Sequence, residues 1–265
     1  MKSNSKTNNS LNMNTMMAGL AMLVKQPKFW LAVLLTVVAI SILVNLGFWQ
    51  LSRATLKQQM QVQLAQASQR QLQGLSEVDE GTGRAITGLK AEVALTPKPR
   101  YLLLDNQVFE GQVGYLAYQL MQEGHSQSVL FELGFVAAPD LRSELPQIAW
   151  RSEKYQGLVR LYKRSDNPLS SELMAEEFIE AGLSVLRVQN LNYSALSKRW
   201  GVELEAYAIQ PLADSWSYAQ PWQPIPMSAE KHQGYAVQWF AMAIALFILS
   251  IWWLVKAASQ RTAHS

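Results

Sequence analysis

The chain reads as a membrane α+β protein, with two transmembrane helices flanking a β-rich periplasmic domain that also carries short helices. Three observations predict this fold class. Two stretches of 21 residues, Phe29 to Trp49 and Tyr235 to Val255, contain no charged side chain. The tails outside them carry basic residues and no acidic ones. The segment between them holds all 20 acidic residues and 17 of the 23 basic ones, and alternates short apolar runs with turn residues. Of the 265 residues, 49% are hydrophobic, 16% charged and none is cysteine, which excludes disordered and disulfide-stapled classes, thiolate metal sites and dithiol redox chemistry.

The apolar patch from Met16 to Val24 within the polar tail of residues 1–28 is short enough to lie on a membrane surface, with the rest of the tail mobile. Residues 29–49 then give a helix of about 32 Å, against a hydrocarbon core of roughly 30 Å. The run exceeds a signal peptide's apolar region and ends in Gly47-Phe48-Trp49-Gln50, which offers no cleavage site, so it reads as an anchor. Residues 235–255 form the second span. Trp30, Trp49, Trp239, Trp252 and Trp253 stand near the span ends as an aromatic belt. Lys2, Lys6, Lys25, Lys28, Lys256 and Arg261 place both tails, 1–28 and 256–265, in the cytoplasm. Residues 50–234 then lie outside, and the first arginine being Arg53 argues against a mitochondrial transit peptide and for a bacterial inner membrane. The outer segment has net charge −3, so the basic pI describes the tails and not a nucleic-acid surface.

Within 50–234 the run from Ala54 to about Glu77, rich in Gln, Ala and Leu without proline, predicts that the first span continues outward as a polar helix. Leu89 to Leu95, Tyr101 to Leu104, Gly114 to Leu120 and Val129 to Val136 read as antiparallel strands, separated by turns at Pro97 to Pro99, Asp105-Asn106, Gly111 and Gly124. Tyr155 to Tyr162, Leu183 to Val188 and Glu203 to Ile209 read as later strands. Ser170 to Ala181 reads as a helix capped by Ser170 or Ser171, and Tyr193 to Trp200 as a second one closed by Gly201. Pro221, Pro224 and Pro226 return an extended chain to Ser228-Ala229-Glu230-Lys231, where the last helix starts.

Chemistry is sparse. Hydrolase, zinc-peptidase, phosphate-loop and calcium-loop motifs are absent, and no nucleophile and base pair marks an enzyme. Glu176 and Glu177 read as solvated surface, His125 and His264 as loop and tail residues. His232 differs, because a helix begun by then aligns it with Tyr235, Ala236 and Trp239 at spacings of three, four and seven. That face suits either an amphipathic interfacial anchor or a flat ligand with an axial contact to haem iron. Trp49, Arg53 and Lys57 follow one another at single turns, as a snorkelling anchor or as cations that pair with carboxylates such as haem propionates or a partner's acidic residue. Asn45 and Gln238 lie inside the spans, where each could hydrogen-bond across to the other helix.

Gly47-Phe48-Trp49-Gln50-Leu51-Ser52-Arg53 resembles the G-x-W-Q-x-x-R motif that closes the first span of the Surfeit-locus (Surf/Shy) family of cytochrome c oxidase assembly proteins. Lys231-His232-Gln233-Gly234-Tyr235-Ala236-Val237-Gln238-Trp239-Phe240 is similar to the family's H-x-G-Y-A-x-Q-W-F motif opening the second. Leu103-Leu104-Asp105-Asn106 and Gly111-Gln112-Val113-Gly114-Tyr115 are similar to its L-D-N and G-x-x-G-Y segments, and the match runs from about Gly47 to Val255. The resemblance implies a non-enzymatic inner-membrane factor that aids haem a delivery to, or stabilisation in, subunit I of a haem-copper oxidase. Subunit I and other oxidase assembly factors would be its partners. It implies a cofactor site of His232, Tyr235, Trp239, Trp49, Gln50 and Arg53, with His232 on the haem iron. One departure stands out: the family's N-R-G-W-V-P stretch is replaced by Phe131-Glu132-Leu133-Gly134-Phe135-Val136-Ala137-Ala138. Among other two-span proteins, a polysaccharide chain-length regulator would favour a long helical outer segment. A receptor would need more than ten residues after Val255 for its output.

Overall fold

The computed structural model describes residues 17–78, 86–124, 127–164, 172–180, 182–221 and 224–261. The chain divides into two units: one from the N-terminal side to Gln59 together with Met227 onward, the other Met60–Pro226.

The first unit is helical. Residues 17–24, within the apolar patch expected to lie on a membrane surface, form α1, and Gly19 lets α1 approach the Ala258 carbonyl so closely that a Cβ would collide with it; the part of the tail expected to be mobile before residue 17 lies outside the described residues. Helix α2 is Pro27–Ser68, opened by a proline at its first position, where no N–H is needed. Helix α4 is Ala229–Arg261, with Glu230 in its first turn. Both are long and apolar enough to cross a membrane, and their large apolar side chains, such as Leu34, Val38, Ile244 and Ile248, are exposed. In a soluble core those side chains would be covered.

The second unit is built on one sheet. After α2 come β1 (Gln71–Leu72), a single 3₁₀ turn (Leu75–Glu77), β2 (Lys90–Phe109), β3 (Gln112–Glu123), β4 (Gln127–Ala137) and β5 (Tyr155–Tyr162). Then follow β6 (Glu176–Glu180), β7 (Leu183–Val188), α3 (Tyr193–Trp200) and β8 (Leu204–Pro211). Strands β2, β3, β4, β8 and β5 pair in a closed circuit, and β7 and β6 extend from the far half of β2. Alternate residues feed two cores. Leu103, Ala117, Phe131 and Ile209 enter one, while Leu102, Leu116, Leu130 and Ala208 enter the other, which α3 covers with Tyr193 and Leu196. Helix α3 has the predicted range and the predicted Gly201 end in the left-handed conformation, and Asn192, not foreseen, caps its start by accepting from the Ala195 N–H at 2.9 Å.

Three expectations are corrected. The polar helix ends at Ser68 and not near Glu77, because Leu72 and Leu75 turn into the core and the Leu75 N–H donates to Glu123 at 2.6 Å. Neither Pro97 to Pro99 nor Asp105-Asn106 is a turn between strands. Both are register shifts inside the 20-residue β2, where a proline without an N–H and an asparagine at φ 58° interrupt the ladder without ending it. The hairpin turn comes at Glu110 and Gly111, both at positive φ, between the paired Phe109 and Gln112. The expected helix from Ser170 to Ala181 is instead a coil followed by β6, with Ser170, Ser171 and Ala181 outside the described residues. Helix-forming Glu and Met lose there to an antiparallel ladder in which Glu176 faces Arg187 and Phe178 faces Val185. Glu176 and Glu177 are exposed, as expected, but stand on a strand and not a helix, where they pair with Arg187 and Arg199. His125 and His264 lie outside the described residues.

Candidate functional site

Helices α2 and α4 meet along their small residues. Gly47 faces Phe240 so closely that a Cβ would stand 2.6 Å from the ring, and the Phe48 and Phe240 rings pack edge to face at 5.3 Å. Three residues on from Gly47 is Gln50, and a further four is the buried Ala54. On α4 the matching stripe is Ala229, His232, Ala236, Phe240 and Ala243, of which all but Phe240 are buried. Gln50 and His232 join across it, with Nδ1 of the imidazole 2.7 Å from Oε1 of the amide.

That bond determines the chemistry of the ring. An amide oxygen can only accept, so Nδ1 must carry the proton, and in the neutral ring Nε2 is left with its lone pair. Metal-binding histidines are commonly fixed in this way, by an acceptor on the nitrogen that does not touch the metal. The side chains present thus fit an imidazole ligand to iron. His232 is only 9% exposed, so access to it runs past its neighbours on the two helices.

The other residues of the expected site are distributed around this pair. Trp49 and Arg53 stack on each other, with the guanidinium carbon 5.5 Å from the ring, and both are exposed. With Ser52, Thr55, Leu56 and Gln59 they line a hollow of about 550 Å³ on α2. Tyr235 is 44% exposed and lies off the buried stripe, and Trp239 is half-buried at its edge. The face expected to unite His232, Tyr235, Ala236 and Trp239 is therefore narrower, keeping His232 and Ala236 at its centre. Asn45 and Gln238 do not join the helices. The Asn45 amide donates to its own helix at the Ser41 carbonyl, 2.8 Å away, and Gln238 is exposed. Gln50 takes the bridging role, on the same face of α2 as Gly47 and Ala54.

A second polar centre, unseen in the sequence, lies inside the sheet. Glu132 on β4 has no exposure, and accepts from the Tyr162 hydroxyl and, at 2.8 Å, from the Gln210 amide. Tyr162 and Tyr118 share a hydrogen bond at 2.9 Å, and Arg160 donates to Gln210 at 2.6 Å. Burial pushes the Glu132 carboxyl above its ordinary range, outweighing the donors from Tyr162 and Gln210 that pull it down. The Tyr118 and Tyr162 hydroxyls are likewise raised, first by burial and then by the neighbouring Glu132.

The sequence profile of the SURF1 family matches residues 37–244, from within α2 to within α4. The chain belongs to the SURF1 family. No curated protein matches it. The SURF1 match encloses Gln50, His232 and the whole sheet, in keeping with the resemblance read from the two span motifs. The SURF1 family is associated with cytochrome oxidase assembly.

Proposed function

We propose that this chain is an inner-membrane assembly factor for a haem-copper oxidase, and that it holds haem a at His232 on the way to subunit I. The observation that carries this reading is the Gln50 to His232 bond, which leaves one imidazole nitrogen as a ready ligand between two apolar helices. When bound, haem a supplies the redox-active iron that the finished oxidase uses. The chain's own part is to bind and orient. His232 presents Nε2, and Gln50 holds Nδ1 and fixes the ring in rotation. The exposed Arg53, braced on Trp49, offers a planar fork to a propionate, and Tyr235 and Trp239 offer ring surface to a macrocycle. The lysines and arginine of the two tails support a cytoplasmic position for both termini, with residues 50–234 on the far side of the membrane.

The test is a reduced-minus-oxidised spectrum of the full chain, purified in detergent from cells that make haem a. Wild type should carry a haem signal, His232→Ala should lose it, and Gln50→Leu should retain a fraction of it, because only the orientation of the ligand is lost. Groups that hold a metal-bound histidine by its other ring nitrogen are worth about 10- to 100-fold in affinity, which sets the size of the Gln50 effect. A haem signal equal in all three proteins would remove His232 from the site.

A further inference from the structure

The sheet unit also carries a cleft of its own. A cleft of about 720 Å³ opens between the loop before β5 and the segment after β8, within the size range of small-molecule sites. Its walls are aromatic. The Tyr155 and Trp216 rings meet edge to face at 6.2 Å over Phe131, and Tyr218 stands beside them. Each polar tip is already engaged in holding the walls. Trp216 donates to the Leu133 carbonyl at 2.6 Å, Tyr155 to the Leu158 carbonyl at 3.0 Å, and the Tyr218 hydroxyl accepts from the Ala149 N–H at 2.9 Å. The ring surfaces are left to a ligand.

Into this setting the chain places a fixed cation. The buried Gln119 clamps the Arg151 backbone on both sides, accepting from its N–H and donating to its carbonyl, each at 2.9 Å. The Arg151 guanidinium then lies 5.6 Å from the Tyr155 ring and 5.5 Å from the Trp216 ring. Its Nε is buried without a hydrogen bond, and among the described residues the side chain has no carboxylate partner. Lys154 adds a second cation to the lining, which contains no acidic residue. Glu153 and Asp214 adjoin the cleft in sequence but are exposed, and Glu92, which acts on the Tyr155 hydroxyl from β2, is not paired with Arg151. A guanidinium held this firmly by its backbone and two rings, without an anion, is preorganised for one.

We propose that this cleft binds a carboxylate carried on a flat apolar body, with Arg151 and Lys154 taking the anion and the Tyr155 and Trp216 rings taking the body. The same chemistry is found in a free aromatic acid and in the C-terminal carboxylate of a polypeptide ending in an aromatic residue. Ser215 and Ser217, also in the lining, would supply hydroxyls for the amide that only the second source carries.

The experiment uses the full chain in detergent, labelled with 5-fluorotryptophan, with the Trp216 resonance assigned by Trp216→Phe. Benzoate and N-acetyl-phenylalanine are titrated, each beside its neutral amide. At least one acid should shift the Trp216 signal saturably and bind about tenfold or more tightly than its amide, as expected for a charge-assisted pair. Arg151→Gln, which keeps the Gln119 clamp, should reduce acid binding to the level of the amide, while Arg151→Lys retains part of it. Lys154→Ala, at an exposed position, should weaken the acid about threefold. Preference for N-acetyl-phenylalanine assigns the source to a chain terminus, and preference for benzoate to a free acid. Equal binding of acid and amide, unchanged binding in Arg151→Gln, or no saturation by either acid at about 10 mM would overturn the proposal.

Discussion

Replacing Glu132 by glutamine should remove most of one proton's worth of pH dependence from the stability of the sheet unit. Glu132 is wholly buried, and its carboxyl is held above the ordinary carboxylate range by burial. Between the ordinary value and the raised one, the folded chain therefore keeps a proton that the unfolded chain has released. Stability then falls by about 1.4 kcal/mol for each pH unit in that window. The contribution is complete below the unfolded value and is lost as pH rises through the folded one. Glutamine cannot titrate, so its curve loses this slope. It also puts an NH₂ group, which cannot accept, where the protonated carboxyl has its second oxygen, so either the Tyr162 or the Gln210 donor must find another partner, at a cost of about 1 kcal/mol. At acidic pH Glu132→Gln should accordingly be the less stable protein by about that amount. As pH rises the two curves should converge and then cross. The assay is urea unfolding of the full chain in detergent, followed by near-ultraviolet circular dichroism in steps from acid to mildly alkaline pH. Taking the difference between wild type and variant cancels the exposed carboxylates, including Glu176 and Glu177, whose values are lowered and whose own slopes run the opposite way. A difference that stays flat with pH would refute the reasoning, since it would mean that Glu132 titrates alike in the folded and unfolded chains.

Two glycines give sharper packing tests. Gly47→Ala should be absorbed by a turn of the Phe240 ring, whereas Gly47→Leu should force the helices apart at about 1–3 kcal/mol and break the Gln50 to His232 bond, read as a loss of the distinct Nδ1–H tautomer in ¹⁵N spectra. Gly134→Ala combines a left-handed φ of 136° with a Cβ only 2.5 Å from the Ala219 carbonyl. It should cost about 3 kcal/mol in thermal or urea unfolding and release the Phe135 to Ala219 hydrogen bond, and an unchanged midpoint would contradict the packing described for the segment after β8.

Legibility followed the range over which each signal acts. The two apolar helices, α3 with its Gly201 end, and the strands β5 and β7 were readable because hydrophobic runs, caps and alternation are local properties of the chain. The segment containing Glu176 was misread because its helix-forming composition is local but its ladder with β7 is not. Pro97 to Pro99 and Asp105-Asn106 carry real turn chemistry, yet β2 has partners on both edges, and the pairing carries the strand through both interruptions. At the site, His232 and Gln50 could each be singled out from their motifs, but their bond spans 182 residues and no spacing encodes it. Asn45, the more obvious bridging candidate deep in its span, instead satisfies its amide on its own helix. The Glu132 and Arg151 centres were invisible for the same reason: each is assembled from residues of separate strands and loops.

The choice of an amide at position 50 narrows what the helix pair can do. A carboxylate there would also accept from Nδ1, but it would favour the doubly protonated imidazolium, which has no lone pair for a metal. A leucine would leave both tautomers open, and the ring would be free to turn. Glutamine accepts the Nδ1 proton without adding charge, so it specifies one neutral tautomer and one orientation. Gln50 can do so only because Gly47, one turn away, brings α4 close enough for a 2.7 Å bond. The glycine, the glutamine and the histidine therefore form one device, in which backbone proximity sets side-chain reach and side-chain reach sets which ring nitrogen is left open. An interfacial anchor would require none of these three steps, since an amphipathic ring at a membrane surface needs neither a fixed tautomer nor a close partner helix.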